Sequence, residues 1–394
     1  MIRSILLGLG IGVLLALVFA AGFLLSDQLD AQAIAAPASA GDYELLDEVQ
    51  GLLDRYYVRE QPNYRQREYG AIRGLLNTLN DPYTFFVEPS TAASESDVLA
   101  GTYGGVGVQV VRGSPDELIL YPFADGPAAA AGIQAEDRLL KVNGQNLDST
   151  ISLDIIDQLL RGEVKSGSGV TMTVQRGDEE LDFFVEFAVI NVPSVVWRML
   201  DDEIGYLQVM RFSARTPDEL NTAAQALLNA GARGIVLDLR NNAGGLLQES
   251  IQAADVFVDE GVLVYEVSPT GERSFDSTSN GLLADLPLRV LVNGRTASGA
   301  EIVAGAIRDS GRGLLVGERT YGKGTVQQIL ALSDTSSLHV TSSEWFTPTR
   351  RPLDKVGLEP DVTVTPDPTG VDNQLAAAVE GVQVELTLQG AGTT

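Results

Sequence analysis

The chain has 394 residues, enough for two or three domains of ordinary size. Acidic residues outnumber basic ones 53 to 27, and the resulting net charge of −26 repels phosphate backbones and argues against nucleic acid as a partner. There is no cysteine, which excludes disulfides, thiolate nucleophiles and cysteine-based zinc sites. The single histidine, His339, excludes a His-x-x-x-His metal pair and is the one residue a Ser-His-Asp triad could use.

At the N-terminus, Arg3 precedes an uncharged stretch over residues 5–25. At about 1.5 Å per helical residue it spans about 30 Å, the thickness of a bilayer core, and Arg3 favours the cytoplasmic side. Segment 1–26 therefore reads as a retained transmembrane anchor. The rest of the chain would then lie outside the cytoplasm, in the periplasm or at the cell exterior. The alternative is a cleaved signal peptide ending near Ala38-Ser39-Ala40, which would make the protein secreted. Residues 27–42, rich in alanine, proline and serine, read as a linker.

Residues 43–91 form a helical region. Leu45, Leu46, Val49, Leu52 and Leu53 recur at steps of three and four, as do Ala71, Leu75, Leu76 and Leu79 before Asp81-Pro82 stops the pattern. These helices would pack on the core or, alternatively, mediate homodimerisation. From 92 to 190 the texture changes to short strands and glycine-rich turns. Strands are predicted over 106–111, 138–142 and 170–175, a short helix over 153–160, and a hairpin-type turn at Asn143-Gly144.

From 191 to 385 strands and helices alternate. The apolar runs 205–209, 234–239 and 288–292 are short enough to be buried strands. Thr216-Pro217-Asp218-Glu219 predicts a helix start, with Thr216 capping the Glu219 amide, Glu219 reciprocating, and Pro217 in the first turn. Gly231 ends that helix. Further strands are expected over 314–316, 326–332 and 338–340, a helix over 302–309, and a disordered tail over 386–394. The fold class is α/β (α+β): a core of alternating strands and helices, a small β-rich domain and an N-terminal helical region.

Three segments carry candidate chemistry. In Val292-Asn293-Gly294-Arg295-Thr296-Ala297-Ser298-Gly299-Ala300-Glu301 an apolar strand turns into a helix beginning near Ser298, where free amides at the positive end of the helix dipole can hold an oxyanion. The competing role is a plain N-cap serine. In Gly317-Glu318-Arg319-Thr320-Tyr321-Gly322-Lys323-Gly324-Thr325-Val326-Gln327, Lys323 sits between two glycines that let the backbone pack closely around it. A lysine base must be neutral. Burial that moves its pKa from about 10.4 to about 7–8 penalises the cation by roughly 4 kcal/mol. The competing role is a solvated surface lysine. Gln327, four residues on, would share a strand face with Lys323 and orient the amine without adding charge. Asp238-Leu239-Arg240-Asn241-Asn242-Ala243-Gly244-Gly245 is a strand–helix turn whose glycine amides could bind an anion.

These three blocks, in this order and spacing, resemble the carboxy-terminal processing (tail-specific) proteases over roughly residues 45–385, and Gly357-Leu358-Glu359-Pro360-Asp361 is similar to that family's block near the end of the core. The resemblance implies the tail-specific protease fold and a serine endopeptidase with no cofactor or metal. By the same analogy Ser298 is the nucleophile, Lys323 the general base and Gln327 the residue that positions it. The Gly299 amide, with one from Gly244 or Gly245, would make the oxyanion hole. Gly299 stands where alanine is usual and Ala243 where proline is usual. Glu301, one turn from Ser298, is expected to be structural.

Residues 126–144 look like the middle of a PDZ domain, with Glu136 where glycine is common. The glycine-rich run 101–108, with Gly105, Val106, Gly107 and Val108 at its end, leads into the strand over 106–111 and not into a helix, as a carboxylate-binding loop would. The resemblance implies that this domain, residues 92–190, binds the free C-terminus of a protein or peptide substrate and gates the protease. Two other readings stay open: a Ser-His hydrolase using His339, and a non-catalytic PDZ scaffold.

Overall fold

The computed structural model describes residues 43–391 except 114–116, 148–150, 201–202 and 279–280. The chain divides into two compact units, one ending at Glu68 and one beginning at Tyr69. In the first, helix α1 (Glu44–Tyr56) exposes Leu45, Leu46, Val49, Leu52 and Leu53 and buries none of its residues. Arg67, near the start of helix α2 (Tyr64–Asn77), bonds back to Asp54 at 2.6 Å and to Gln61 at 2.8 Å.

Among the described residues no helix is long and apolar enough to cross a membrane. That finding overturns the expectation of a membrane-anchored protein. The segment 1–26 on which the expectation rested lies outside the described residues.

The second unit opens with strand β1 (Phe85–Val87) and helix α3 (Pro89–Ala100), which carries proline in its first turn and ends on Gly101 at φ 72°. A β-rich module follows: β2 (Thr102–Gly105), β3 (Val108–Arg112), β4 (Leu118–Pro122), α4 (Pro127–Ala131), β5 (Arg138–Val142), β6 (Gln145–Asn146), α5 (Leu153–Leu159), β7 (Gly169–Arg176), β8 (Glu179–Glu186) and β9 (Ala188–Asn191). Strands β3-β4-β5-β7-β8 form one sheet, and β2 pairs with β9 in a separate ribbon. Alternate residues of each strand point inward, so Leu120, Met172, Val174 and Val185 meet Ile156 of α5 in one core. The hairpin β5–β6 turns at Asn143 (φ 51°) and Gly144 (φ 77°), the left-handed pair that a two-residue turn requires. Glu136 adopts φ 71°, which is why glycine suits that position better.

Asp137 is the buried anchor of this module. Arg176 donates two hydrogen bonds to its carboxylate at 2.7 and 2.8 Å, and the Gln134 amide donates a third at 2.8 Å. Burial by itself would raise the Asp137 pKa, but Arg176 and Gln134 outweigh it and hold the carboxyl below its ordinary 3.8. The stabilisation is therefore present above the unfolded carboxyl's pKa and is lost as pH falls through the lower folded value. Asp137→Asn is expected to cost roughly 2 kcal/mol at neutral pH and to remove the acid sensitivity, read as faster hydrogen exchange in β5 and β7. Protection of these strands in the wild type, corrected for intrinsic exchange, that does not fall as pH drops below 3.8 would count against this account.

The remaining elements are β10 (Val195–Met199), β11 (Ile204–Val209), α6 (Thr216–Asn229), β12 (Gly234–Asp238), α7 (Leu247–Asp255), β13 (Val262–Ser268), β14 (Gly271–Asp276), β15 (Leu288–Val292), α8 (Gly299–Asp309), β16 (Leu314–Gly317), β17 (Thr325–Ala331), β18 (Ser337–Phe346), β19 (Val362–Thr363) and α9 (Asn373–Ala391). Strands β10-β11-β12-β15-β16-β19 form a sheet, parallel except for β10. Every residue of β12 is buried, as a central parallel strand covered on both faces should be. One face packs Leu207, Ile235, Leu237 and Val290 against α6, α7 and α8; the other packs Tyr206, Val236 and Leu291 against Ala378 and Val382 of α9. Strands β1, β13, β14, β17 and β18 form an antiparallel sheet.

Two local expectations differ from the structure. Thr216 and Glu219 do not form a capping box. The Thr216 hydroxyl donates to the Arg211 carbonyl and accepts from the Ser213 amide, while the Glu219 carboxylate accepts from the Ser194 and Val195 amides. The preceding turn engages the Thr216 hydroxyl, and long-range amide donors engage the Glu219 carboxylate. The expected tail from 386 is helical as far as Ala391, because Leu386 packs with Val382 on the sheet.

Candidate active site

Three loops leave the C-terminal ends of adjacent parallel strands and converge: 239–246 after β12, 293–298 after β15, and 318–324 after β16. Ligands of open α/β sheets bind at that end of the strands. The first two loops are stitched together. The Asn293 side chain accepts from the Asn241 amide at 3.0 Å, and Thr296 Oγ1 donates to the Leu239 carbonyl at 2.9 Å. The Ala297 amide donates to the Asn242 carbonyl at 2.9 Å.

Ser298 is the N-cap of α8 and is nearly buried. Its backbone is at φ 56°, ψ −122°, a region that costs a residue with a Cβ roughly 1–3 kcal/mol and that persists only where the surroundings impose it. The serine thus stands on a sharp strand-to-helix turn with the amide of Gly299 beside it. Gly244 packs directly against it: a Cβ on Gly244 would lie 2.8 Å from Ser298 Cβ and 2.9 Å from the Gly299 nitrogen. Of the two loop glycines, Gly244 already donates its amide to Asn242 Oδ1 at 2.8 Å. Among the described residues, the Gly245 amide carries no such bond. Gly299 also faces Ser250, whose Oγ lies 2.7 Å from where an alanine Cβ would stand.

The flanking glycines of Lys323 do what close packing demands. A Cβ on Gly324 would come within 2.2 Å of the Asp354 nitrogen, and Gly322 sits at φ 89° against the 356–357 backbone. Trp345 Nε1 donates to the Lys323 carbonyl at 3.2 Å. The amine lies over the Tyr83 ring, 5.1 Å from its centroid. Burial lowers the Lys323 pKa from its ordinary 10.5, and the Glu95 carboxylate opposes that shift. Among the described residues, no hydrogen bond joins the Ser298 hydroxyl to the Lys323 amine.

What joins the two residues is Glu301, fully buried on α8. Its Oε2 accepts from the amides of Ser298 and Lys323, each at 2.9 Å. Its Oε1 accepts from Thr320 Oγ1 at 2.5 Å and from the Gly322 amide at 2.8 Å. Sequence alone could place Glu301 one turn from the serine, but not its second set of partners, some twenty residues away.

The other candidates fall as follows. Gln327 donates to Thr325 Oγ1 at 2.8 Å. Simple alternation from Lys323 does not apply, since β17 starts at Thr325 and its pairing with β18 shifts register between Val326 and Gln327. His339 is buried, stacked on Phe85 at 4.4 Å, with Nε2 2.9 Å from Glu95; its partner is that carboxylate and not Ser298. In the β-rich module, Gly105 ends β2 and Gly107 turns at φ 69°. The Val106 amide donates to the Leu160 carbonyl, and the Val106 and Gly107 carbonyls accept from Ala128 and Phe123, while Val108 begins β3. Beside β2 lies a cavity of about 730 Å³, lined among others by Thr102, Tyr103, Phe123, Val189, Arg161 and Arg211. Sequence reasoning missed Tyr83, Glu95 and Arg161, all of which depend on neighbours distant along the chain.

The sequence model of peptidase family S41 matches residues 203–364, and that of the PDZ domain matches 119–176. A carboxyl-terminal-processing protease of Picosynechococcus sp. is 35% identical over 347 residues, which cover 86% of this chain and 82% of that protein. A carboxy-terminal processing protease of Bacillus subtilis is 34% identical over 318 residues, covering 79% of this chain and 68% of the relative. A solved structure, a photosystem II D1 C-terminal processing protease, is 32% identical, covers 82% of this chain and 89% of its own, and superposes with a TM-score of 0.48.

Proposed function

From the membership of this chain in peptidase family S41, among the carboxyl-terminal-processing serine proteases and with a PDZ domain, we propose that it cuts protein substrates with a Ser298–Lys323 dyad. One observation carries the reading: a strained, nearly buried serine at a helix N-terminus shares a single carboxylate oxygen with the backbone of a half-buried lysine whose pKa is lowered by desolvation. In the reaction, the neutral Lys323 amine takes the proton from Ser298 Oγ as that oxygen bonds to the substrate carbonyl carbon. The oxyanion that forms is held by the amides of Gly299 and Gly245, with Gly244 as the wall behind the serine. The lysine then passes its proton to the leaving amine. Once neutral again, it takes a proton from the water that attacks the acyl group and returns it to Ser298 Oγ as the acyl–oxygen bond breaks. The family resemblance assigns Gln327 the orienting of the amine; its side chain here donates to Thr325 Oγ1 at 2.8 Å, so that role requires it to exchange this bond for one to Lys323.

The PDZ domain would hold the substrate tail. The cavity beside β2 supports this. Phe123 and Val189 expose apolar surface there. Arg161, stacked over the Tyr103 ring at 4.0 Å and paired with Asp157 at 2.7 Å, and Arg211 line it beside Asp97 and Asp125, so a substrate carboxylate would compete with these acids for the two guanidinium groups. An unstructured protein with a free C-terminus is expected to be cut at least about tenfold faster, as kcat/KM, than the same protein amidated at its C-terminus, since a factor of ten is worth about 1.4 kcal/mol, a modest share for one charge-assisted contact. Mass spectrometry of the products gives both rates. Equal rates would remove tail recognition and leave the protease.

A further inference from the structure

We infer that Glu301 is a positioning residue whose Oε2 atom sets the distance between the nucleophile and the base. The inference rests on the Ser298–Lys323 reading above. Ser298 and Lys323 belong to loops that follow different strands, β15 and β16, so their relative position is not inherent to either loop. One oxygen atom bridges them. Oε2 accepts both backbone amides at 2.9 Å, while Oε1 accepts from Thr320 and Gly322 on the lysine loop. All four donors are thus collected by one carboxylate on α8, and the residue is fully buried, so water cannot substitute for it. The Lys323 contact is to the backbone, which lets the carboxylate hold the loop without engaging the amine.

An amide cannot replace this carboxylate. Glutamine offers one oxygen and one NH2 group, so at least one backbone N–H would face another donor: Gly322 on one side, or Ser298 and Lys323 on the other. Glu301→Gln, in the full chain, is expected to lower kcat about 100-fold with KM within about threefold, the scale of loss that a displacement of about 1 Å produces. Labelling of Ser298 by a fluorophosphonate, which needs an activated serine but no substrate, should fall by a similar factor per folded molecule. Glu301→Asp, which keeps both oxygens but withdraws them by one methylene, should give an intermediate loss. It carries the test if the glutamine variant does not fold. Arg289→Leu controls for stability alone: it breaks the Arg289–Glu385 pair at 2.7 Å, at the start of β15 and away from the loops, and should label like the wild type per folded molecule.

Wild-type labelling per folded molecule in both Glu301 variants, or an equal loss in Arg289→Leu, would overturn the positioning role. Lys323→Ala separates this failure from that of the dyad. If Lys323→Ala labels at the wild-type rate, the dyad reading itself is wrong. If it is silent while the Glu301 variants label normally, only the role of Glu301 falls.

Discussion

Lys323→Met is expected to lose peptide hydrolysis by about 10⁴-fold or more, as removal of one member of a catalytic unit does, without loss of fold. Methionine fills much of the space of the lysine stem and carries no charge, and the structure already penalises the charge. Burial is the largest influence on this amine and lowers its pKa below 10.5; Glu95 partly offsets it. The sign follows from linkage. Where the folded pKa is the lower one, the penalty on the cation is fully present below that value and is relieved as pH rises from it toward 10.5. Wild-type stability should therefore climb across that window, and that of Lys323→Met should not. The same titration should appear in catalysis, since only the neutral amine is a base: kcat/KM rises with pH, with a midpoint below 10.5. Ser298→Ala should match Lys323→Met, and the double variant should be no worse than either, because the two act as one unit. Residual activity above about 1% in Lys323→Met would end the assignment of the base, given the loss of about 10⁴-fold that it requires.

The second large effect is expected at Gly245. Its φ of 146° is one that residues with a Cβ avoid, and an added Cβ would lie 2.1 Å from the Phe212 carbonyl oxygen and 2.9 Å from the Phe212 nitrogen. These are backbone atoms held in a parallel bridge between Phe212 and Gly245, so neither side can yield cheaply. Strain and overpacking together predict a loss of about 2–5 kcal/mol for Gly245→Ala. On the proposal that the Gly245 amide holds the oxyanion, displacing it predicts a further loss of kcat of about 10²-fold or more in the folded fraction. Gly261→Ala is the internal comparison. Its φ is 96°, but nothing lies within 4 Å of the new Cβ, so it should cost only about 1 kcal/mol and leave activity unchanged. Urea unfolding and kcat measured on both variants decide the matter. If Gly245→Ala is as stable and as active as Gly261→Ala, the loop is not the constrained oxyanion element described here.

The parts of the molecule legible in the sequence are those governed by neighbours along the chain. The apolar run 235–237 of β12 reads as a doubly covered strand because a parallel strand buried on both faces has no polar side along its middle. Asn143-Gly144 reads as a turn because its backbone demands left-handed residues. The segments bearing Ser298, Lys323 and Gly244 were visible for the same reason: glycines and a helix start are local signals. What was not legible depends on the folded chain. The register of Gln327 is broken by a bulge that only its partner strand imposes. The second set of partners of Glu301, and the Glu95 carboxylate that meets His339 across 244 positions, come together only when the sheets assemble. The helix α3, which carries Glu95, has a weakly patterned sequence, PSTAASESDVLA, without a buried residue, and so gave no periodic signal.

Position 299 shows how such contacts restrict which substitutions the site tolerates. An alanine methyl at 299 would lie 2.7 Å from the Ser250 Oγ, 3.0 Å from its Cβ and 3.3 Å from Phe212 Cδ2, so it fits only if these neighbours give way. Removing the hydroxyl at 250 would relieve only the nearest of these three contacts, so a methyl at 299 still presses on the turn that carries Ser298. The bend is wedged from two sides, by a neighbouring helix and by an aromatic ring, and loosening one wedge leaves the other in place.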